Sequence, residues 1–195
     1  MLNVRQDLWD MRSDSSKIIW DEFTGGSQEA FSRLYSDFYP QLIPYAKKIC
    51  KEKEMALDAV HNTFLNLWQN RESLKEVQSV KFYLLRSVRH ECIRLLKIKN
   101  LHNQLDEEEI LRIRIEPNEL VLTDLGKRSK ARIKQALEEL SDRQREIIYL
   151  KYFNNLDYEE IAGILNLNYQ SIVNSIHRSI KKLRESQVFD YLKDI

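Results

Sequence analysis

Apolar side chains recur at three- and four-residue intervals along most of this chain, the spacing that lines one face of an α-helix. Phe31, Leu34, Tyr35 and Phe38 form one such stripe. Leu42, Tyr45, Ala46 and Ile49 resume it, so Pro40 and Pro44 perturb the run without having to end it. Ser27 is placed to cap this helix. A shorter helix precedes it, capped by Ser15 or Ser16 and closing near the glycine pair at 25–26. Residues 51–54 read as a solvated turn and 55–69 as a helix, with Val60, Phe64, Leu67 and Trp68 at helical spacing. Residues 70–79 are polar and read as a loop, and a basic helix follows over 80–98. The first 14 residues show no clear period and are expected to fray. From 101 to 126 the period fails again, around the run DEEE and Pro117, which predicts a linker with at most a helical turn.

The pattern returns at Ser129 and persists to about 186. One helix is predicted over 129–140 and a second behind Ser141 or Asp142, with Ile147, Ile148 and Leu150 inward. Asp157 and Glu160 have the spacing of a capping box ahead of a short third helix ending at Leu165. Asn166 tolerates the left-handed backbone of a tight helix-to-helix turn, Leu167 points inward, and Asn168 caps a fourth helix. Ala162 lets the two helices approach. With Ile161, Leu165, Leu167 and Ile172 it makes the small core of a helix-turn-helix. In the fourth helix Ile172, Ile176, Ile180 and Leu183 face inward, which leaves Gln170, Asn174, His177, Arg178 and Lys181 outward. Gln, Asn and Arg pair bidentately with adenine and guanine edges in the major groove. A recognition helix sets its N-terminal half against the bases, so Gln170, Ser171 and Asn174 are the expected readers, while Arg178, Lys181 and Lys182 grip phosphate. The plainer alternative is an amphipathic helix with a solvated polar face.

Composition agrees with an all-α fold, since only four glycines and three prolines interrupt 195 residues. The net charge of +1 points to no partner, but its distribution does. Residues 71–100 hold eight Lys or Arg against three acids, 101–126 hold two against seven, and 127–186 hold twelve against eight. Two basic blocks flank an acidic spacer, as two phosphate-facing modules on a non-binding link would. We therefore expect domains at 1–100 and 127–195 joined by the linker 101–126. In the basic helix Lys81, Arg86, Arg89, Arg94 and Lys97 interleave with Phe82 and Tyr83. Cations beside aromatics suit single-stranded DNA, although Arg86 and Arg89 as plain surface charges are the competing reading. Cys50 and Cys92 stand far apart, which fits reduced thiols. No nucleophile–base pair, glycine-rich phosphate loop or metal-ligand cluster occurs, so no enzyme, cofactor or metal is expected. No apolar run is long enough for membrane insertion, and the opening MLNVRQDLWDMRSDSS lacks the apolar core of a secretory signal. A cytoplasmic protein is the expectation.

The run DAVHNTFLNLWQN at 58–70 resembles the second conserved region of bacterial sigma factors, through the spacing of Asp58, Phe64, Leu65, Leu67 and Trp68. The preceding FSRLYSDFYPQLIPYAKKI resembles that family's opening helix, and KFYLLRSVRHECIRLLK its basic helix. ELSDRQREIIYLKYFNNLDYEEIAGILNLNYQSIVNSIHRSIKKLRE resembles its fourth region. Together these segments resemble the extracytoplasmic-function (ECF) sigma factors, over nearly all of residues 27–186. His61 and Asn62 stand where the family often has Gln and an acid, His90 where Asn is common, and Asn166 where a turn Gly is usual.

The resemblance implies a dissociable promoter-specificity subunit of RNA polymerase. It implies that Asp58, His61, Asn62, Leu65 and Trp68 dock on core polymerase, with packing in the core as the alternative for Trp68. It implies that Lys81, Tyr83, Arg86, Arg89 and Arg94 face the single-stranded minus-ten element, with the loop at 70–79 taking a flipped base. Gln170, Ser171, Asn174, His177, Arg178 and Lys181 would face the minus-thirty-five duplex. Core RNA polymerase, promoter DNA and an anti-sigma factor are the implied partners. A helix-turn-helix regulator acting without core polymerase is the alternative function.

Overall fold

The computed structural model describes residues 16–74, 76–99 and 135–185. Helix α1 covers 16–24, α2 Gln28–Cys50, α3 Lys53–Gln69 and α4 Val80–Lys99, with a 3-10 turn at Arg71–Ser73. The residues at 135–138 belong to α5, followed by α6 Asp142–Tyr152, α7 Tyr158–Leu165 and α8 Tyr169–Glu185. The described residues contain no strand, as the helical periodicity requires. The chain divides into two compact units, Met1–Leu95 and Leu96–Ile195. The expected frayed start, the linker and residues 129–134 lie outside the described residues. No described helix is long and apolar enough to cross a membrane.

In the first unit α2 runs unbroken through Pro40 and Pro44. Both prolines are exposed, so the missing N–H groups fall on the wet side of the helix. The Ser27 hydroxyl accepts from the Ala30 amide at 3.2 Å and sets the helix start. Gly26, at φ 97, makes the turn out of α1. The buried stripe of α2 includes Leu34, Leu42 and Ile49, and α2 packs along α3, which buries Ala56, Val60, Phe64 and Leu67. Trp20 and Phe23 close the core from α1, and Leu84, Leu85 and Val88 are buried on α4. Both cysteines are buried free thiols, as reduced cysteines would be.

The turn expected over 51–54 is shorter than the sequence implied. Lys51 takes a positive φ of 59° and α3 starts at Lys53. Glu52 caps it without a side-chain hydrogen bond, so no capping signature marks the start. The expected loop at 70–79 contains the 3-10 turn, held by Ser73 Oγ donating to the Asn70 carbonyl at 2.8 Å and Arg71 Nη1 to the Trp68 carbonyl at 2.9 Å.

The second unit is tied by caps and one arginine. Ser141 caps α6 in a full capping box with Gln144. Arg145 Nη1 donates to the carbonyls of Leu140 at 2.6 Å and Leu137 at 3.3 Å, and its Nη2 pairs with Asp142. The Leu137 carbonyl also accepts from the Leu140 amide at 3.1 Å, so the arginine braces a turn already closed by the backbone. Between α6 and α7, Lys151 Nζ donates to the Leu156 carbonyl at 3.0 Å and lies 5.0 Å from the Tyr158 ring centroid. Ile147, Ile148, Leu150, Ile161, Leu165, Ile172, Ile176 and Leu183 form the buried core.

Candidate DNA and polymerase interfaces

The helix-turn-helix is built by local bonds that the sequence names. Glu160 donates its amide to Asp157 Oδ1 at 2.7 Å, and Asp157 donates its amide to Glu160 Oε2 at 3.0 Å, which completes the capping box of α7. Asn166 adopts φ 53, ψ 46, and the Leu167 amide returns to the Ala162 carbonyl at 3.0 Å, closing α7 in a Schellman-type turn. Asn168 Oδ1 then accepts from the Ser171 amide at 2.7 Å and starts α8. The passage from α7 into α8 is therefore set by left-handed Asn166, the Leu167 amide bond and the Asn168 cap.

On α8, Gln170, Asn174, His177, Arg178 and Lys181 are all exposed on the face away from Ile172 and Ile176. Gln170 Nε2 donates to Asn174 Oδ1 at 3.1 Å, so the two amides one turn apart form a pair. Arg178 Nε lies 3.3 Å from the Asn174 carbonyl, which draws its guanidinium along the same face. Ser171 is only half-exposed, and its amide serves the cap. Ile180, expected inward, is half-buried. Ser179 takes the interior position, its hydroxyl donating to the Ser175 carbonyl at 2.8 Å. Lys182, expected at phosphate, donates Nζ to the Glu139 carbonyl at 3.0 Å. Sequence reasoning missed Tyr169. It is 48% exposed at the first turn of α8, with its ring 6.0 Å from that of Tyr158. The signal was an aromatic directly after a capping Asn on a face otherwise polar.

On α3 the five expected docking residues separate into two groups. Asp58, His61 and Leu65 are exposed along one stripe, and Leu65 is 57% exposed, which is large for a leucine on a packed helix. Asn62 and Trp68 are half-buried and engaged within the unit. Asn62 Nδ2 donates to Glu91 Oε1 on α4 at 2.8 Å. The Trp68 ring lies 5.0 Å from Phe31 and 6.3 Å from Phe23, and the Arg71 guanidinium sits 4.6 Å from its centroid. Tyr39 of α2, not singled out by sequence, stacks on His61 with ring centroids 6.0 Å apart. It extends the exposed stripe onto a second helix.

The basic helix corrects one expectation plainly. Arg89 is 1% exposed and belongs to the core of the first unit, so it cannot meet DNA from this position. Val88 and Cys92, also fully buried, flank it on the same inward face of α4. Tyr83 is half-buried, with its ring edge against Trp20 at 5.1 Å. Lys81 is half-buried and Arg86 exposed. Arg94 is 54% exposed but held, its Nε and Nη2 donating to the two oxygens of Glu91 at 2.7 Å each. These bonds, opposed by burial and joined by the Asn62 amide, pull the Glu91 carboxyl below the usual range. Among the described residues no group of His, Cys, Asp and Glu is placed to hold a metal ion.

Two family models match the chain: sigma-70 region 2 over residues 34–100 and sigma-70 region 4 over residues 130–183. The sigma factor YlaC of Bacillus subtilis is 23% identical over 82% of this chain and 92% of its own length. The ECF sigma factor SigK of Mycobacterium bovis is 22% identical over 82% of this chain and 87% of its own. The solved structure of the sigma factor RpoE of Bartonella quintana, in complex with the anti-sigma factor NepR, superimposes with a TM-score of 0.57 at 24% identity. It covers 80% of this chain and 96% of that one. A helical bundle in one unit and a helix-turn-helix in the other, each matched by its own region, define a sigma-70-type factor. The chain belongs to the ECF group of RNA polymerase sigma factors. It directs promoter-specific initiation of transcription with core RNA polymerase.

Proposed function

We propose that the two units divide the promoter between them. The second, within 127–195, reads the minus-thirty-five element as duplex through α8. Gln170 and Asn174 face base edges, while His177, Arg178 and Lys181 face the backbone. The first, within 1–100, holds core polymerase through Asp58, His61 and Leu65, and the open minus-ten strand through α4. The observation that carries this reading is the exposed amide pair of Gln170 and Asn174, set by a capped and closed helix-turn-helix. Paired amides are suited to adenine in the major groove. With Arg89 buried, the proposed strand-facing cations are Arg86 and the outward side of Arg94, with half-buried Lys81 at the edge. The chain supplies no catalytic group; the polymerase performs the chemistry.

RpoE is seen bound to an anti-sigma factor, and this chain is proposed to be held by one in the same manner, in the cytoplasm. The acidic run at 106–109 would mimic nucleic-acid charge within the polymerase channel. The test is run-off transcription from genomic fragments with purified core polymerase, with and without the full chain, beside a gel shift of the chain alone. Start sites that need both proteins support the reading. Tight operator binding by the chain alone, with no new start sites, would replace it with a polymerase-independent regulator.

A further inference from the structure

Arg94 uses one edge of its guanidinium, Nε and Nη2, on Glu91, while the side chain as a whole remains 54% exposed. The Nη1 edge is turned to neither Glu91 oxygen. Glu91 is itself 7% exposed, and its Oε1 is held from the neighbouring helix by Asn62 Nδ2 at 2.8 Å. An arginine on a helix surface is free to take many rotamers, and ordering it on a ligand costs conformational entropy. Here a buried carboxylate, fixed from two helices, has already ordered it. The position of Asn62 sharpens the point, because the amide is withdrawn from the exposed stripe of α3 and spent on Glu91.

The geometry points to Glu91, anchored by Asn62, as a positioning residue that holds Arg94 with its free guanidinium edge toward a strand phosphate. This rests on the reading of α4 as the strand-facing helix. It opposes simple electrostatics, which makes any acid beside a DNA-facing arginine a repulsive group. Under that view removing the Glu91 charge tightens binding. Under the positioning view it loosens binding, because the arginine loses its orientation.

The experiment measures a fluorescent oligothymidylate strand binding to holoenzyme assembled from core polymerase and the full chain, across a salt series. Arg94→Ala should weaken binding and lower the salt slope by about 0.7, one single-strand phosphate contact. Glu91→Gln should weaken it by about tenfold despite the gain in positive charge. In an Arg94→Ala background Glu91→Gln should change nothing further. Asn62→Ala leaves the charge untouched and should act in the same direction, more weakly. It also serves if Glu91→Gln fails to fold by circular dichroism. Tighter or unchanged binding with Glu91→Gln, or with Asn62→Ala in its place, beside a weakened Arg94→Ala would overturn the positioning role alone. An Arg94→Ala holoenzyme that binds as wild type does would overturn it by removing the underlying strand contact.

Discussion

Gln170 and Asn174 meet side chain to side chain at 3.1 Å on the exposed face of α8. An amide pair one turn apart couples the orientations of the two side chains, so as the proposed readers neither acts independently of the other. Asn174→Ala should therefore relax base preference at more than one minus-thirty-five position. The cost is about 1–3 kcal/mol of discrimination for a bidentate contact. A double-mutant cycle with Gln170→Ala should show coupling rather than additivity. The measurement is holoenzyme binding to duplexes substituted base by base. Equal weakening on every duplex would mean that Asn174 contacts backbone alone.

Leu65 and Trp68 lie on one helix but belong to different layers. Leu65→Asp should abolish capture of core polymerase in a pull-down while leaving helix content unchanged, because its side chain faces solvent. Trp68→Ala should instead lower the stability of the first unit by about 2–4 kcal/mol, since it empties the space between Phe31, Phe23 and Arg71. Thermal unfolding of the two variants separates these roles.

Arg86 and Arg89 separate in the same way. Arg86→Ala should weaken strand binding by holoenzyme and flatten its salt dependence, with little change in melting temperature. Arg89→Ala should lower the melting temperature, because it removes a fully buried, charged side chain from the core. A melting temperature unaffected by Arg89→Ala would contradict that placement.

The caps and turns of the helix-turn-helix were legible residue by residue, and the packing between helices was not, for a physical reason. Caps and left-handed turns are local. Ser141, Asp157, Asn166 and Asn168 act on residues within five positions, so their spacing alone places the helix ends. The roles of Arg89, Asn62 and Ser179 depend on which face a neighbouring helix covers. Charge pattern made Arg89 look like a ligand group, and only packing shows that it is core. Pro40 and Pro44 were ambiguous in sequence because their effect on α2 depends on the side they face. Tyr39 reaches His61 only through the pairing of α2 with α3, which no spacing within one helix reveals.

The ion pair of Glu91 has a pH signature with a definite sign. Its carboxyl is held below the ordinary glutamate range, chiefly by the bonds from Arg94. A carboxyl depressed in the folded state binds protons more readily when unfolded. Its stabilisation is present above the unfolded value and is lost as pH falls through the folded one. Glu91→Gln should thus be less stable than wild type at neutral pH, with the gap closing below about pH 4.5. Urea unfolding across the acid range checks it. A gap independent of pH would assign the loss to packing rather than charge.

Asn166 offers a change in the opposite direction. It holds φ 53, ψ 46 at the turn between α7 and α8, where a β-carbon costs energy that glycine avoids. The side chain is exposed, so nothing buried is lost on removing it. Asn166→Gly should stabilise the second unit by about 0.5–1 kcal/mol, reduced by the greater freedom glycine gains when unfolded. Asn166→Val should destabilise it by more than that, because a β-branched residue resists the left-handed region. The same pair should leave binding to a minus-thirty-five duplex unchanged at low temperature, where both variants are folded. If Asn166→Val melts as wild type does, α7 must end in some other way. The angle at which Gln170 and Asn174 are presented would then need a different origin.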